Sequence, residues 1–136
     1  MLHLIVDAAN VAGSTPDGWW RDRPGAAVRL ANRLVAALSE APEKLAALGR
    51  HTVTDVTVHL VLEGAARRAA DRLPSHPRFR VVLAPAEGDD AIVALAEELA
   101  GEDVLVVTAD RELRRRVEAV GARTIGPGAL LNVLPR

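Results

Sequence analysis

Hydrophobic positions fall into two alternating patterns along the chain. Short, nearly continuous apolar runs occur at "LHLIVDA" (2–8), "DVTVHLVLEG" (55–64), "FRVVLA" (79–84) and "DVLVVTA" (103–109). A shorter one is "ARTIG" (122–126). Runs of this length, rich in β-branched residues, predict buried strands. Between them the apolar positions recur at helical spacing. From Pro24, a good first-turn residue, "PGAAVRLANRLVAALSE" places Val28, Leu30, Leu34, Val35 and Leu38 near that spacing. "APEKLAALG" predicts a short helix ending at Gly49, and "AARRAADRL" (65–73) a helical turn or two. "GDDAIVALAEELAG" (88–101) predicts a helix with acids at its start and Ile92, Leu95, Ala96 and Leu99 on one face. "DRELRRRVEAVG" (110–121) is a further helix closed by Gly121, and "PGALLNVL" a closing one. Residues 9–23, "ANVAGSTPDGWWRDR", hold Gly, Ser, Pro and Asp and predict a loop.

Strands that alternate with helices imply a parallel sheet with helices on both faces. In such sheets ligands bind outside the carboxyl ends of the strands, where the strand order reverses. With 136 residues and no repeat, low-complexity tract or linker, the expectation is one domain spanning 1–136.

That geometry gives meaning to where the acids fall. The first strand runs into Asp7, and Asn10 follows three residues later. "VLVVTAD" leads to Asp110, "VVLAPAEGDD" to Asp89 and Asp90, and "VHLVLEG" to Glu63. Each has a bland explanation: Asp89, Asp90 and Asp110 precede helices, where aspartate caps free N–H groups. Glu63 reads as a strand exit, and Asp7 as a hydrogen-bonded turn residue with no obvious helix to cap. Jointly they say more. If the strands ending at Asp7 and Asp110 are neighbours, with the 89–90 loop beside them, three carboxylates meet. Each like-charge pair at about 4 Å costs on the order of 4 kcal/mol at an effective dielectric of about 20. Either some are protonated, or they lie apart, or a cation fills the gap. Hard oxygen ligands would favour Mg²⁺ or Mn²⁺.

Composition removes alternatives. There is no cysteine, so disulfides and thiolate metal sites are excluded. His3, His51, His59 and His76 show no zinc-ligand spacing, and His59, in mid-strand, reads as a packed or sheet-surface residue. No apolar stretch approaches a membrane span, and the N-terminus lacks a secretory pattern, so a cytoplasmic protein with no membrane partner is expected. The net charge is −1, but sixteen arginines stand against one lysine, Lys44. A GC-rich genome explains that bias first; arginine's bidentate grip on phosphate is the other explanation.

Three stretches carry a family likeness. "LIVDAAN" with Asp7 and Asn10, "GDDAIVALA", and "VVTADRELR" resemble the three acidic motifs of the PIN-like nucleases. More narrowly they resemble the NYN branch, including bacterial proteins of the YacP type. "DAIVA" (90–94) is similar to the D-A-x-x-A helix start of PIN domains, and "TAD" (108–110) to their T-x-D strand end. The resemblance extends over almost the whole chain. It implies a three-layer α/β/α sandwich with a mostly parallel five-stranded sheet of order 3-2-1-4-5, and divalent-metal-dependent hydrolysis of RNA. By position it makes Asp7, Asp90 and Asp110 ligands for one or two Mg²⁺ or Mn²⁺ ions, direct or through water. Asp89 becomes a fourth acid, as ligand or base, and Asn10 a partner of Asp7 or of the scissile phosphate. Thr108 becomes a hydrogen-bond donor to a ligand carboxylate or phosphate. Glu63 stands where related proteins carry Asp-Gly, and its longer side chain departs from that pattern.

A nuclease must also hold an anionic strand. Arg111 and Arg114 follow Asp110 on a helix starting at the expected site; Arg21 and Arg23 lie in the loop after the first strand. These groups could straddle phosphates, against the plainer reading of solvated faces. Trp19 and Trp20 share that loop and could stack unpaired bases, although packing of at least one against the helices is the stronger expectation. The low net charge argues for weak intrinsic affinity for single-stranded RNA, so a larger partner such as the ribosome or another RNA-processing protein would present it. A flat helix face could support a homodimer. The competing function is a catalytically inactive RNA- or protein-binding module on the same fold. A haloacid-dehalogenase-type phosphatase is disfavoured, because "DAAN" puts Ala9 where a second acid is needed.

Overall fold

All six residues of the first strand are buried, which only a central strand covered on both faces permits. The computed structural model describes residues 1–50 and 55–136; His51 lies outside the described residues. Its strands are β1 (Leu2–Asp7), β2 (Val56–Leu62), β3 (Phe79–Leu83), β4 (Asp103–Val107) and β5 (Arg123–Ile125). Its helices are α1 (Ala8–Gly13), α2 (Arg23–Glu40), α3 (Pro42–Leu48), α4 (Gly88–Glu98), α5 (Arg111–Glu118) and α6 (Pro127–Val133). Two 3₁₀ segments cover Trp19–Arg21 and Gly64–Arg72. The five strands form one sheet in the order β3-β2-β1-β4-β5, every neighbouring pair parallel. This is the expected order.

The period-two alternation of strand side chains divides the core in two. Leu2, Leu4 and Val6 of β1 face one side with Leu30, Leu34 and Leu38 of α2, Leu45 of α3 and Leu130 of α6. Ile5 faces the other with Ile92 and Ala96 of α4 and Leu113 and Val117 of α5. The central strands are therefore covered on both faces, as a parallel sheet requires, while the edge strand β3 stays partly exposed. Among the described residues no helix is long and apolar enough to cross a membrane.

One element departs from the sequence reading. Residues expected to form a loop begin as the helix α1, and Asp7 is its N-cap: the carboxylate Oδ1 accepts from the backbone N–H of Asn10 at 3.4 Å. The helix lasts six residues, too short for its "AANVAG" to show periodicity, and it survives by burying Ala8 and Val11. The Trp19–Arg21 segment then leads to α2, capped by Asp22 accepting from Gly25 N–H at 2.9 Å.

At the amino end of the sheet the His59 expectation of a packed residue holds. Nδ1 of His3 lies 3.0 Å from Nε2 of His59, and Nε2 of His3 lies 3.1 Å from the Glu102 carboxylate. A carboxylate only accepts, so His3 donates to it through Nε2, and one proton bridges its Nδ1 and Nε2 of His59. Full protonation of both rings would set two N–H groups face to face. Burial, followed by the His3 and Arg80 charges, accordingly pushes His59 from 6.5 down to about 4. A group whose folded pKa is depressed favours the fold above its unfolded pKa and loses that contribution as pH falls. Urea unfolding between pH 7 and pH 4 should show wild type losing more stability than His59→Gln. Identical pH slopes for the two proteins would contradict a buried His59 held neutral.

Candidate active site

The chain turns from the β1-β2-β3 side of the sheet to the β4-β5 side between β1 and β4, so the crevice for a ligand opens at their carboxyl ends. Asp7 ends β1 there and is only 6% exposed. Its Oδ2 accepts from the Thr108 hydroxyl at 3.0 Å, while Oδ1 takes the Asn10 N–H. Thr108 is fully buried just beyond β4, and its Oγ1 accepts in turn from Asp110 N–H at 3.2 Å. Of the two roles foreseen for Thr108, the structure gives it the bond to a carboxylate. Asn10 reaches across the same gap, its Oδ1 accepting from Ala109 N–H at 2.8 Å. Hydrogen bonds therefore clamp the exits of β1 and β4 together around one carboxylate.

Burial raises the Asp7 carboxyl from 3.8 to about 6; the Thr108 and Asn10 hydrogen bonds oppose that rise, and the charges of Glu63 and Asp89 add to it. Asp89 is half-buried and also raised, by desolvation first and then by Asp110, Glu63 and Glu87, against a lowering by Arg116. Four acids are thus linked by charge: Glu63 and Asp89 act on Asp7, and Asp110 and Glu63 act on Asp89. They come from the ends of β1, β2 and β4 and from the first turn of α4.

Asp90 does not join them. It is exposed, and its Oδ1 accepts from the Arg116 guanidinium at 2.8 Å. The reason is helical phase. Asp89 precedes the buried Ile92 by three residues and shares its inward face; Asp90 is turned about 100° away, toward α5. The D-A-x-x-A match therefore pointed to the neighbour of the inward-facing acid. Asp110 keeps the capping role that sequence alone suggested, its Oδ1 accepting from Glu112 and Leu113 N–H at 2.9 and 3.1 Å. Its Oδ2 has no hydrogen bond among the described residues.

Glu63 is the residue the sequence undervalued. The N-cap position of α4, Glu87, makes no side-chain cap bond. Glu63 supplies one from the end of β2, its Oε2 accepting from Gly88 N–H at 2.8 Å. The extra methylene of glutamate makes that reach. A Cβ on Gly88 would stand 3.4 Å from the Glu63 carboxyl, so the glycine leaves room for it. The signal was present in the sequence: a carboxylate at a strand end followed by Gly64, which takes a φ of 57°.

The cationic and aromatic candidates divide into structural and free groups. Arg114 Nε donates to the Thr108 carbonyl at 2.8 Å, which makes it a brace for the β4 exit. Arg111 is exposed next to Asp110. Trp19 packs over Gly13 and meets Trp20 edge-on, with centroids 6.4 Å apart. Trp20 is 58% exposed. Arg21 lies over the Trp20 ring at 5.8 Å and Arg23 over Trp19 at 5.3 Å. Trp19, Arg23 and Glu63 share the wall of a small hollow lined otherwise by alanines, including Ala8 and Ala9 directly after Asp7. Arg23 therefore shares a wall with Glu63, and Arg111 opens α5 directly after Asp110.

The acids are hard oxygen donors with surplus negative charge, and that suits Mg²⁺ or Mn²⁺. Among the described residues, however, no three His, Cys, Asp or Glu side chains stand together as a set able to hold an ion. Magnesium tolerates this, because it retains several waters and binds through one or two carboxylates plus substrate phosphate. The fit is one of charge and donor type.

No family model matches the chain, and no curated protein does. In fold it is similar to the crystal structure of Rae1 (YacP) from Bacillus subtilis, determined as a mutant, with a TM-score of 0.64. The match covers 96% of this chain and 72% of that one at 19% sequence identity. At that identity the likeness concerns the fold, and the chain has a YacP-like α/β fold with a five-stranded parallel sheet.

Proposed function

We propose that the chain is a metal-dependent ribonuclease that hydrolyses phosphodiester bonds of single-stranded RNA. One observation carries this reading: at the crevice of the sheet burial raises the carboxyls of Asp7 and Asp89, and the charges of neighbouring acids from other strand ends, Glu63 for both and Asp110 for Asp89, raise them further. The three motifs that resemble those of PIN-like nucleases support it, and so does the YacP-like fold.

One or two carboxylates among Asp7, Asp89 and Asp110 would hold each Mg²⁺ or Mn²⁺ ion, with water and substrate phosphate completing its shell and Glu63 adding its charge. A bound ion of this kind lowers the pKa of water and offsets charge on the attacked phosphate. The chain's own groups do the rest. Thr108 and Asn10 fix the orientation of Asp7. Asp89, half-buried and raised, takes a proton from the attacking water at its carboxylate. Glu63 holds the start of α4, and with it Asp89, through Gly88. Arg111 and Arg23 bind the phosphates on either side, and the exposed Trp20 ring stacks an unpaired base. Attack by water on phosphorus breaks the P–O3′ bond, leaving a 5′-phosphate and a 3′-oxygen that takes a proton from solvent to become a hydroxyl. Given the net charge of −1, a larger RNA-bearing partner presents the substrate.

The second reading is a binding module without turnover. It is favoured by the lack, among the described residues, of three gathered metal-binding side chains. It predicts RNA binding and no metal-dependent cleavage.

Purified protein with mixed RNA and Mn²⁺ or Mg²⁺ separates the two. Asp7→Asn and Asp89→Asn should each lower the cleavage rate by about 10²-fold or more, as expected for loss of a proton acceptor or charge partner. Asp90→Asn should lose less than about tenfold on the same scale, because its carboxylate is committed to Arg116. Equal cleavage by wild type and an Asp7→Asn, Asp89→Asn double variant would trace the activity to a contaminant.

Stability gives an independent measure. A carboxyl whose folded pKa is raised favours the fold below its unfolded pKa and loses that contribution as pH rises through about 6. In metal-free buffer at pH 7.5, Asp7→Asn should therefore be more stable than wild type by about 2 kcal/mol, with the gain gone below about pH 4. Millimolar Mn²⁺ or Mg²⁺ should raise the melting temperature of wild type and leave Asp7→Asn unmoved; identical metal shifts would place any bound ion elsewhere.

A further inference from the structure

Positive charge is concentrated on one part of this nearly neutral chain. Residues 64–83 hold Arg67, Arg68, Arg72, Arg78 and Arg80 against a single acid, Asp71. Arg78 is committed to Asp55 at 2.9 Å. Arg67 and Arg68 are exposed on the 3₁₀ segment that leaves Glu63. Their position follows from its three-residue repeat. Ala66 and Ala69 pack against the core, so the two arginines between them are left on the outer side. Arg67 donates to the Ala84 carbonyl at 3.0 Å, which pins its guanidinium beside the end of β3. Arg68 has no hydrogen bond or ion pair among the described residues.

These two arginines, Gly64, Ala65 and Leu83 line a shallow groove. Leu83 is 50% exposed at the carboxyl end of the edge strand. In register, Asp7 pairs with Val61 and Val61 with Val82. The groove floor thus lies two strand spacings, about 10 Å, from the level of Asp7. Between it and the alanine-lined hollow holding Arg23 and Glu63 stands only the first turn of the 3₁₀ segment, with Ala65 on one side and Ala66 on the other. Arg23 itself comes within 3.8 Å of where a Gly64 Cβ would be.

We propose that Arg23, Arg67 and Arg68 form a track for the phosphodiester backbone of a single nucleic-acid strand, leading from the acidic site over the 3₁₀ segment to the edge of β3. Arg67 and Arg68 bind successive phosphates, and Leu83 supplies an apolar seat for a ribose or base. Unlike the four carboxylates, this surface repels cations and attracts polyanions, so the strand enters it whether or not metal is present. The inference deepens the ribonuclease reading and rests on it for the identity of the strand.

The test uses full-length protein in EDTA and a fluorescent oligouridylate of about 15 nucleotides, within the span of single-strand sites. Binding is followed by anisotropy across a salt series. Each lost phosphate contact on a single strand should reduce the slope of log affinity against log salt by about 0.7. Arg68→Gln, which removes no internal hydrogen bond, should show that reduction, and Arg67→Gln/Arg68→Gln about twice it. Arg136→Gln, a charge-matched change at the C-terminus, should show none. In the metal-supported reaction, Arg68→Gln should raise KM for the long oligonucleotide and leave a trinucleotide unaffected. Unchanged slopes and unchanged KM in the Arg68 variants of a protein that cleaves RNA overturn the track and leave the nuclease reading intact. An Arg68-dependent slope in a wild-type protein that cleaves nothing overturns the nuclease reading and supports the track.

Discussion

A carboxylate buried at the end of the central strand is the constraint on which the rest of this structure turns. Asp7 is almost wholly removed from water, and among the described residues two hydrogen bonds offset the loss of its hydration. Those bonds come from different places, one from the helix Asp7 starts and one from the residue that ends β4. Keeping the charge in place therefore requires β1, α1 and β4 to be held in register. Asn10 and Arg114 add bonds to the Ala109 N–H and the Thr108 carbonyl, so the same junction is tied from both sides. The price in stability is visible in the raised proton affinity of Asp7.

The surrounding acids raise that cost, and a fold would not accumulate them at one crevice for stability. Each has a local structural role: Asp110 caps α5, Glu63 caps α4 from a distance, and Asp7 caps α1. Capping and site-building are compatible here. A cap uses one carboxylate oxygen toward the helix, as Asp110 uses Oδ1 for both its bonds, and does not engage the other. Helix starts facing the carboxyl ends of parallel strands thus serve as stations for acids whose charges act on one another.

Charge of the opposite sign is arranged outside this space. Arg116 neutralises Asp90 on the outer side of α4, and Arg114 is spent on a backbone carbonyl. Arg111, Arg23, Arg67 and Arg68 are exposed, Arg23 in the hollow that Glu63 also lines and Arg67 and Arg68 in the neighbouring groove. A net charge near zero conceals this separation, because the sum over residues discards the position of each.

The sequence by itself determined the strands, all the longer helices, the parallel sheet and the edge of that sheet that gathers acids, while the strand order came with the family resemblance. The former features rest on periodicity and on which positions must be apolar, and both are local properties of the chain. Where periodicity had too few residues to act on, it failed: six-residue α1 was read as loop, and Asp7 as having no helix to cap. Tertiary structure decided which acids meet. Asp89 and Asp90 are adjacent in the chain, yet helical phase sends one toward Ile92's buried face and the other to Arg116 on a different helix. Glu63 gained its place because Gly88, twenty-five residues on, leaves a free N–H within reach of a longer side chain. Contacts of that kind depend on direction and distance across elements, and no spacing along the chain encodes them.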